Sequence, residues 1–292
     1  MEFLVLFRFY FPQSCTEVFT ESNRVILNLS EHCENLCGTP WETQNKSMDL
    51  NCDMGELLPN QATNFDEEMM PFITSCNIAC GFHSGNPLII EKTIKAALKH
   101  KVNIGVHPSY NDRKNFGRIS VDVSMETLLA ELRYQIFAVK GMVESLGGKL
   151  THVKPHGALY NDMVNDAALA KAVVLLIKSI DSELKIFTLV NSQVVDICES
   201  EGMKVMREGF ADRCYQHVNQ LRSRSLKDAV IHDTKTVLKQ VEGFLNNKVA
   251  LWDSSVCDIE VDTICLHSDT KGAVELSEEI YNYVNSFSTL KC

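Results

Sequence analysis

Ionisable side chains in this chain recur where short apolar runs end. Asp53 follows MDLNC, His83 sits in CGFHSG, His107 follows VNIGV, His156 closes THVKPH, Asp212 lies in EGFADR and His267 follows TICL. Carboxylates and imidazoles move protons near neutral pH and bind divalent metals. Asp53, His83, His107 and His156 together have the donor chemistry of a metal that would lower the pKa of bound water and polarise a carbonyl, as amide or ester hydrolysis requires. The other reading of the same four is a metal-free pocket of hydrogen-bonded histidines. No H-x-H or H-E-x-x-H spacing chooses between them.

The stretch THVKPHGALY, residues 151–160, concentrates this chemistry. His152, Lys154 and His156 fall two residues apart, so an extended segment points all three to one face. Lysine is rarely buried alone, so Lys154 is either a clamp for a carboxylate or phosphate or half of an ion pair with Asp49 or Asp53. His152, one pitch deeper than the others, reads as support rather than chemistry. Asp212-Arg213 offers a bidentate grip on a carboxylate or a solvated surface pair. Asp112, Arg113 and Arg118 belong to a glycine-containing loop that either closes over a site or is simply solvated. His32, His100, His217 and His232 lack such context and read as surface or core residues.

These groups need elements to position them, and the pattern from Met48 onward is strand, polar turn, helix. Strands are expected at 48–53, 72–79, 102–106, 151–160, 185–190, 204–208 and 263–266. Helices are expected at 88–100, 125–146, 167–180, 226–245 and 273–284, with a short one after Asn191. Alternation of this kind implies a parallel sheet with right-handed crossovers. Asp53, His83, His107, His156, Asn191, Asp212 and His267 then lie at or just beyond the C-terminal strand ends, the edge where such folds build sites. Parity adds that Asp49, Asn51 and Asp53 oppose Leu50 and Cys52, that Asn103, Gly105 and His107 oppose Val102, Ile104 and Val106, and that Thr263, Cys265 and His267 oppose Ile264 and Leu266. The reading is a seven-stranded parallel β/α barrel with a polar lumen.

The chain has 292 residues, a formal net charge of −10 and 45% apolar residues. That balance, with no Lys/Arg cluster, argues against nucleic acid as the main partner. Its 11 cysteines are scattered and form no CxxC pair, so they read as reduced, buried residues of a cytoplasmic protein. Residues 1–47 carry MEFLVLFRFYF and then a polar stretch with Cys33 and Cys37. The apolar run makes a poor signal peptide and falls short of the ~20 residues of a membrane span. Residues 1–47 are read as a disordered tail or an over-long extension, and 48–292 as one barrel domain. G-x-x-x-x-G-K-[ST], G-x-S-x-G and G-x-G-x-x-G are all missing, so any nucleotide binds by another route.

Six runs in register, DLNCDMGE at 49–56, NIACGFHSGNP at 77–87, GVHPSYNDRKNFGR at 105–118, HVKPHGALYN at 152–161, EGFADRCY at 208–215 and ICLHSDTKGAVEL at 264–276, resemble the LamB/YcsF family. The resemblance implies a barrel similar to the glycoside hydrolase/deacetylase-type fold. It also implies the work of the A subunit of a 5-oxoprolinase: ATP-coupled opening of the lactam of 5-oxoproline to L-glutamate, together with subunits B and C. On that reading Asp53, His107, His156 and Lys154 carry the catalysis, while Asn51, Glu56, His83, Asp212, Arg213 and His267 bind substrate. Two alternatives share these residues, a metal-dependent carbohydrate deacetylase and a non-catalytic 5-oxoproline-binding subunit. The chain departs from the family pattern at Asn86, Cys214 and Ser268. Asn86 lacks the charge of the usual Asp, and Ser268 replaces the glycine of a His-Gly-Asp turn.

Overall fold

The computed structural model describes residues 48–56, 66–267 and 272–290. The stretch 1–47, together with Ser268 and Asp269, lies outside the described residues. Among those described, no helix is long and apolar enough to cross a membrane.

Seven parallel strands close into a barrel in sequence order: β1 (Asp49–Met54), β2 (Ser75–Ala79), β3 (Asn103–His107), β4 (Leu150–Val153), β5 (Lys185–Leu189), β6 (Val205–Phe210) and β7 (Thr263–Leu266), with β7 pairing back onto β1. The outer helices are α1 (Pro87–His100), α2 (Met125–Ser145), α3 (Gly157–Asn165), α4 (Ala167–Ile180), α5 (Gln193–Ser200), α6 (Thr234–Leu245) and α7 (Ala273–Leu290). Several of their starts are capped by side chains. Asn86 Oδ1 accepts from Ile89 N at 3.1 Å, Ser124 Oγ from Thr127 N at 3.1 Å and Asp166 Oδ1 from Ala168 N at 2.8 Å, each satisfying an amide that the first helical turn leaves unpaired.

The strand parity read from the sequence holds. Cys52, Met54, Ile78, Ile104, Val106 and Val153 pack in one apolar cluster with helix residues that include Ile94, Leu132, Ile136 and Val173. Leu50, Leu189, Ile264 and Leu266 pack in a second with Val237, Val241, Phe244 and Ile280. The opposite strand faces are hydrogen-bonded to one another across the lumen, as parity in a closed barrel requires.

Several boundaries differ from expectation. The 72–79 segment begins as a short helical turn, Met70–Phe72, and becomes strand only at Ser75. The 151–160 segment is strand only to Val153, and Gly157–Asn165 is helix. Pro155 explains the break, because a proline keeps the residue before it out of the helical region. Lys154 N and His156 N still bond to Val106 O (3.0 Å) and Pro108 O (2.9 Å), so the extended geometry that sets the parity continues to His156. The helix expected at 226–245 starts eight residues later. The carbonyls of Ala229 and Arg222 are taken by the Arg213 guanidinium, and Asp233 caps the helix instead by accepting from Thr236 N at 2.9 Å.

Candidate functional site

The lumen supports the site from below. Asn51 Nδ2 donates to Thr263 Oγ1 (2.7 Å), and Asn77 Nδ2 donates to Asn51 Oδ1 (2.8 Å) and Asp53 Oδ1 (2.9 Å). Because Asn77 turns its amide hydrogens that way, its Oδ1 accepts from His152 Nε2–H at 2.8 Å. The His152 ring stacks on Phe187, with centroids 4.1 Å apart, and occupies the space beside Gly105. A Cβ at residue 105 would fall 2.1 Å from His152 Nε2, so β3 needs glycine there. His152 is thus a support residue, as its depth on the strand suggests.

Lys154 is a cation buried in the lumen and is 2% exposed. Its Nζ lies 2.8 Å from Glu208 Oε1, 3.0 Å from Asp53 Oδ1, 3.2 Å from Asn51 Oδ1 and 3.2 Å from Cys265 Sγ. Tyr160 donates to Glu208 Oε2 at 2.8 Å and completes that carboxylate's surroundings. Of the two readings of Lys154, the ion pair with Asp53 is present and Asp49 is not part of it. Asp49 instead accepts from Thr74 and Ser75 hydroxyls at 2.7 and 2.6 Å.

Above Lys154 lies a cluster of carboxylates and imidazoles. His107 Nε2 is 3.3 Å from Asp53 Oδ2, and His156 Nδ1 is 2.9 Å from His107 Nε2 and 3.4 Å from Glu56 Oε1. The His83 ring stacks on His156 at 3.8 Å with 6° between planes. Its Nε2 is 3.0 Å from Glu56 Oε1 and its Nδ1 is 2.9 Å from Ser109 Oγ. The 112–118 loop reaches this cluster through Phe116 O, 2.8 Å from His156 Nε2. Gly117 makes the approach feasible: its φ is +65°, and a Cβ there would lie 2.9 Å from both His83 and His156. Arg113 pins the loop by donating to Gly81 O at 2.6 Å and to Gly85 O.

A cavity of about 720 Å³ opens over this cluster. Asp53, Glu56, His107 and His156 face it from one side, and Arg213, Arg224 and His267 line other parts of its wall. His267 Nδ1 sits 2.8 Å from Asp212 Oδ2, and its Nε2 is 3.1 Å from Arg224 Nη2. Arg213 uses Nε and Nη2 on backbone carbonyls, so its position is fixed by the 222–229 segment.

Burial disfavours the charged form of every group here, and neighbours decide which groups resist it. Burial would raise Asp53, but His107 and Lys154 outweigh it and hold the carboxyl well below its ordinary range. For Glu56, burial prevails with help from the Asp53 charge, and its pKa rises. Burial, reinforced by neighbouring imidazoles, depresses His83 and His156. His267 and Asp212 overcome burial by pairing, which lifts the imidazole and lowers the carboxyl. Asp53 and Glu56 are therefore adjacent carboxyls with their proton affinities driven apart, the arrangement that separates acid from base roles.

Of the residues singled out by sequence, the structure gathers Asp53, Glu56, His107, His156, Lys154, Arg213 and His267 around one cavity. It places Asn51 beneath the cavity, His83 behind Glu56, and Asp212 behind His267. Asn191 is exposed and takes a left-handed turn conformation after β5. Glu208, Asn77 and Arg224 were not singled out. A charged Glu208 within β6 and a polar Asn77 within the apolar run of β2 were the available signals, whereas nothing local marks Arg224 among the polar loop residues. Four ligand atoms, from Asp53, Glu56, His107 and His156, lie within 4.8 Å of one another, as do three from Asp53, Cys265 and His267. His83 belongs to neither group. Among the described residues all cysteines are free, and Cys214 is half-buried.

Fold and site together define a β/α-barrel protein whose cavity pairs a carboxylate and imidazole centre with a cationic wall. Residues 48–289 match the model of the LamB/YcsF family, and the chain belongs to that family. It is 44% identical over 234 residues to the A subunit of a 5-oxoprolinase from Acinetobacter baumannii, covering 80% of this chain and 92% of that relative. The corresponding 5-oxoprolinase A subunit of Natranaerobius thermophilus is 42% identical over 240 residues, with the same coverage of 80% and 92%. Among solved structures, the lactam utilization protein of Thermus thermophilus superposes with a TM-score of 0.76 at 32% identity, covering 82% of this chain and 97% of that one.

Proposed function

We propose that this chain is the A subunit of a 5-oxoprolinase, opening the lactam ring of 5-oxoproline to L-glutamate with ATP hydrolysed in a complex with subunits B and C. The observation that carries the reading is the convergence of Asp53, Glu56, His107 and His156 on one cavity that Arg213 and Arg224 also line, the arginines suiting a substrate carboxylate. A lactam is an amide, and its hydrolysis needs a base for water, a donor for the leaving nitrogen and a grip on the ring's free carboxylate. The Asp53 carboxylate, with the imidazole of His107 or His156 beside it, takes the proton of the attacking water. Hydroxide adds to the ring carbonyl, the C–N bond breaks, and Glu56, the more readily protonated carboxyl, delivers a proton to the departing amine. Arg213 and Arg224 hold the carboxylate, and the fixed Lys154 keeps Asp53 ionised. ATP, at a site in the complex, supplies the driving force by phosphorylating the carbonyl oxygen with release of ADP before water adds, and a second water frees inorganic phosphate from the resulting acyl phosphate.

The chain reconstituted with subunits B and C, 5-oxoproline and ATP should release glutamate. Glu56→Gln and Asp53→Asn should each lower kcat by at least about 100-fold, the usual scale of a general acid or base. Undiminished release in both variants would refute the assignment.

A further inference from the structure

The cluster beneath the cavity has an unusual arrangement of lone pairs. His107 Nδ1 lies 2.6 Å from Lys154 O, and a carbonyl can only accept, so Nδ1 carries the hydrogen and, in a neutral ring, Nε2 presents its lone pair. His156 Nε2 lies 2.8 Å from Phe116 O, so by the same logic Nδ1 presents its lone pair. These two lone pairs face each other at 2.9 Å, beside Asp53 Oδ2 and Glu56 Oε1. His107 is 1% and His156 6% exposed, so little solvent relieves the encounter. With both rings neutral, two acceptors and two carboxyls directed at one point require a cation there, a shared proton or a metal ion.

We propose that His107 Nε2, His156 Nδ1, Asp53 Oδ2 and Glu56 Oε1 bind one divalent transition-metal ion of the Zn²⁺ class. Four ligands at ~2.0–2.1 Å from a tetrahedral ion stand about 3.3–3.4 Å apart. Four of the six separations here are 2.9, 3.3, 3.4 and 3.9 Å, and all six lie within 4.8 Å, so side-chain shifts bring the set onto an ion. Mixed imidazole and carboxylate donors select such ions over Ca²⁺ or Mg²⁺. Each imidazole's outer N–H is already held by a carbonyl, the orientation that metal-bound histidines require. His83, 3.0 Å from Glu56 Oε1, supports a ligand instead of being one. The neighbouring group of Asp53, Cys265 and His267 is a poorer host because cations already occupy it. Lys154 Nζ is 3.2 Å from Cys265 Sγ, and Arg224 Nη2 is 3.1 Å from His267 Nε2.

The ion would take Asp53 and Glu56 as ligands, so the acid and base steps proposed above belong to the ion-free chain; its binding is measured without substrate, ATP or other subunits, so either reading can fail alone. The full chain is stripped with a chelator and titrated with Zn²⁺ by calorimetry, with Co²⁺ absorption as a report on geometry. One ion per chain is expected. His107→Gln and His156→Gln should each weaken binding by more than about 100-fold, beyond the ~10–100-fold that losing an outer partner gives, whereas Cys265→Ser should bind as the parent does. No stoichiometric ion, or an ion kept by both histidine variants and lost in Cys265→Ser, overturns the proposal and leaves a shared proton as the bridging cation. Should the histidine variants misfold, anomalous scattering from a crystal of the Zn²⁺-loaded parent chain decides. Density between His107 and His156 supports the site, and its absence there overturns it.

Discussion

Replacing His152 by glutamine should make the fold markedly less sensitive to acid. His152 is 1% exposed, enclosed between Phe187, Asn77 and Thr151, and burial together with the nearby Lys154 charge depresses its pKa from 6.5 to about 3. A folded-state pKa below the unfolded value means that protons bind preferentially to the unfolded chain. The neutral ring's contribution is thus complete above pH 6.5 and declines as pH falls from 6.5 towards 3. At pH 4.5 the unfolded histidine is almost wholly charged and the folded one almost wholly neutral, a difference of about 2.7 kcal/mol at 1.36 kcal/mol per pH unit. Glutamine can still donate to Asn77 Oδ1, but it loses the stack on Phe187, so the variant should be weaker at both pH values. The informative quantity is therefore the stability lost between pH 8 and pH 4.5, from urea unfolding of the full chain followed by circular dichroism. Parent and variant share every other acid-sensitive group, and the parent should lose roughly 2–3 kcal/mol more than His152→Gln. Equal losses would refute the argument that His152 is held neutral in the lumen.

Three further outcomes follow from the same lumen and its helices. Lys154→Met should destabilise the chain by about 3–5 kcal/mol, since it strands Glu208 and Asp53 without their cation; adding Glu208→Gln should recover part of the loss, and strictly additive effects in a double-mutant cycle would contradict the pairing. Gly105→Ala should lower Tm sharply because its methyl collides with the His152 ring, and combining it with His152→Ala should relieve much of the damage; a Gly105→Ala protein that melts like the parent would rule the collision out. Asn86→Ala should cost about 1 kcal/mol by uncapping α1, while Asn86→Asp should be neutral or mildly stabilising; equal denaturation midpoints for all three proteins would remove the capping role.

The capping role also explains one departure from the family pattern. Asn86 accepts from Ile89 N at the start of α1, a task at which Asn and Asp are equivalent, so the lost charge does not disturb this contact. For Cys214 the structure offers no account beyond a half-buried thiol outside the cavity lining.

What the sequence determined by itself is the periodic part of the molecule. Alternation of polar and apolar residues in β1, β3 and β7 records which face meets helices and which meets the lumen, because a strand's side chains alternate by geometry alone. The placement of Asp53, His107, His156 and His267 at strand ends was legible for the same reason, whereas the pairing of Lys154 with a carboxylate was one of two readings that the sequence left open. Where local chemistry competes, as at Pro155 or in the 214–233 excursion held by Arg213, periodicity misjudged the boundaries. Tertiary structure alone decided which groups share a centre. Glu56 and not His83 joins Asp53, His107 and His156, because His83 is turned onto Ser109 and stacks behind His156. Glu208 answers Lys154 from two strands away, and Arg224 reaches His267 from 43 residues earlier in the chain. Closure of the barrel makes such meetings: it sets distances across the lumen through register and side-chain volume, quantities that no single stretch of sequence carries.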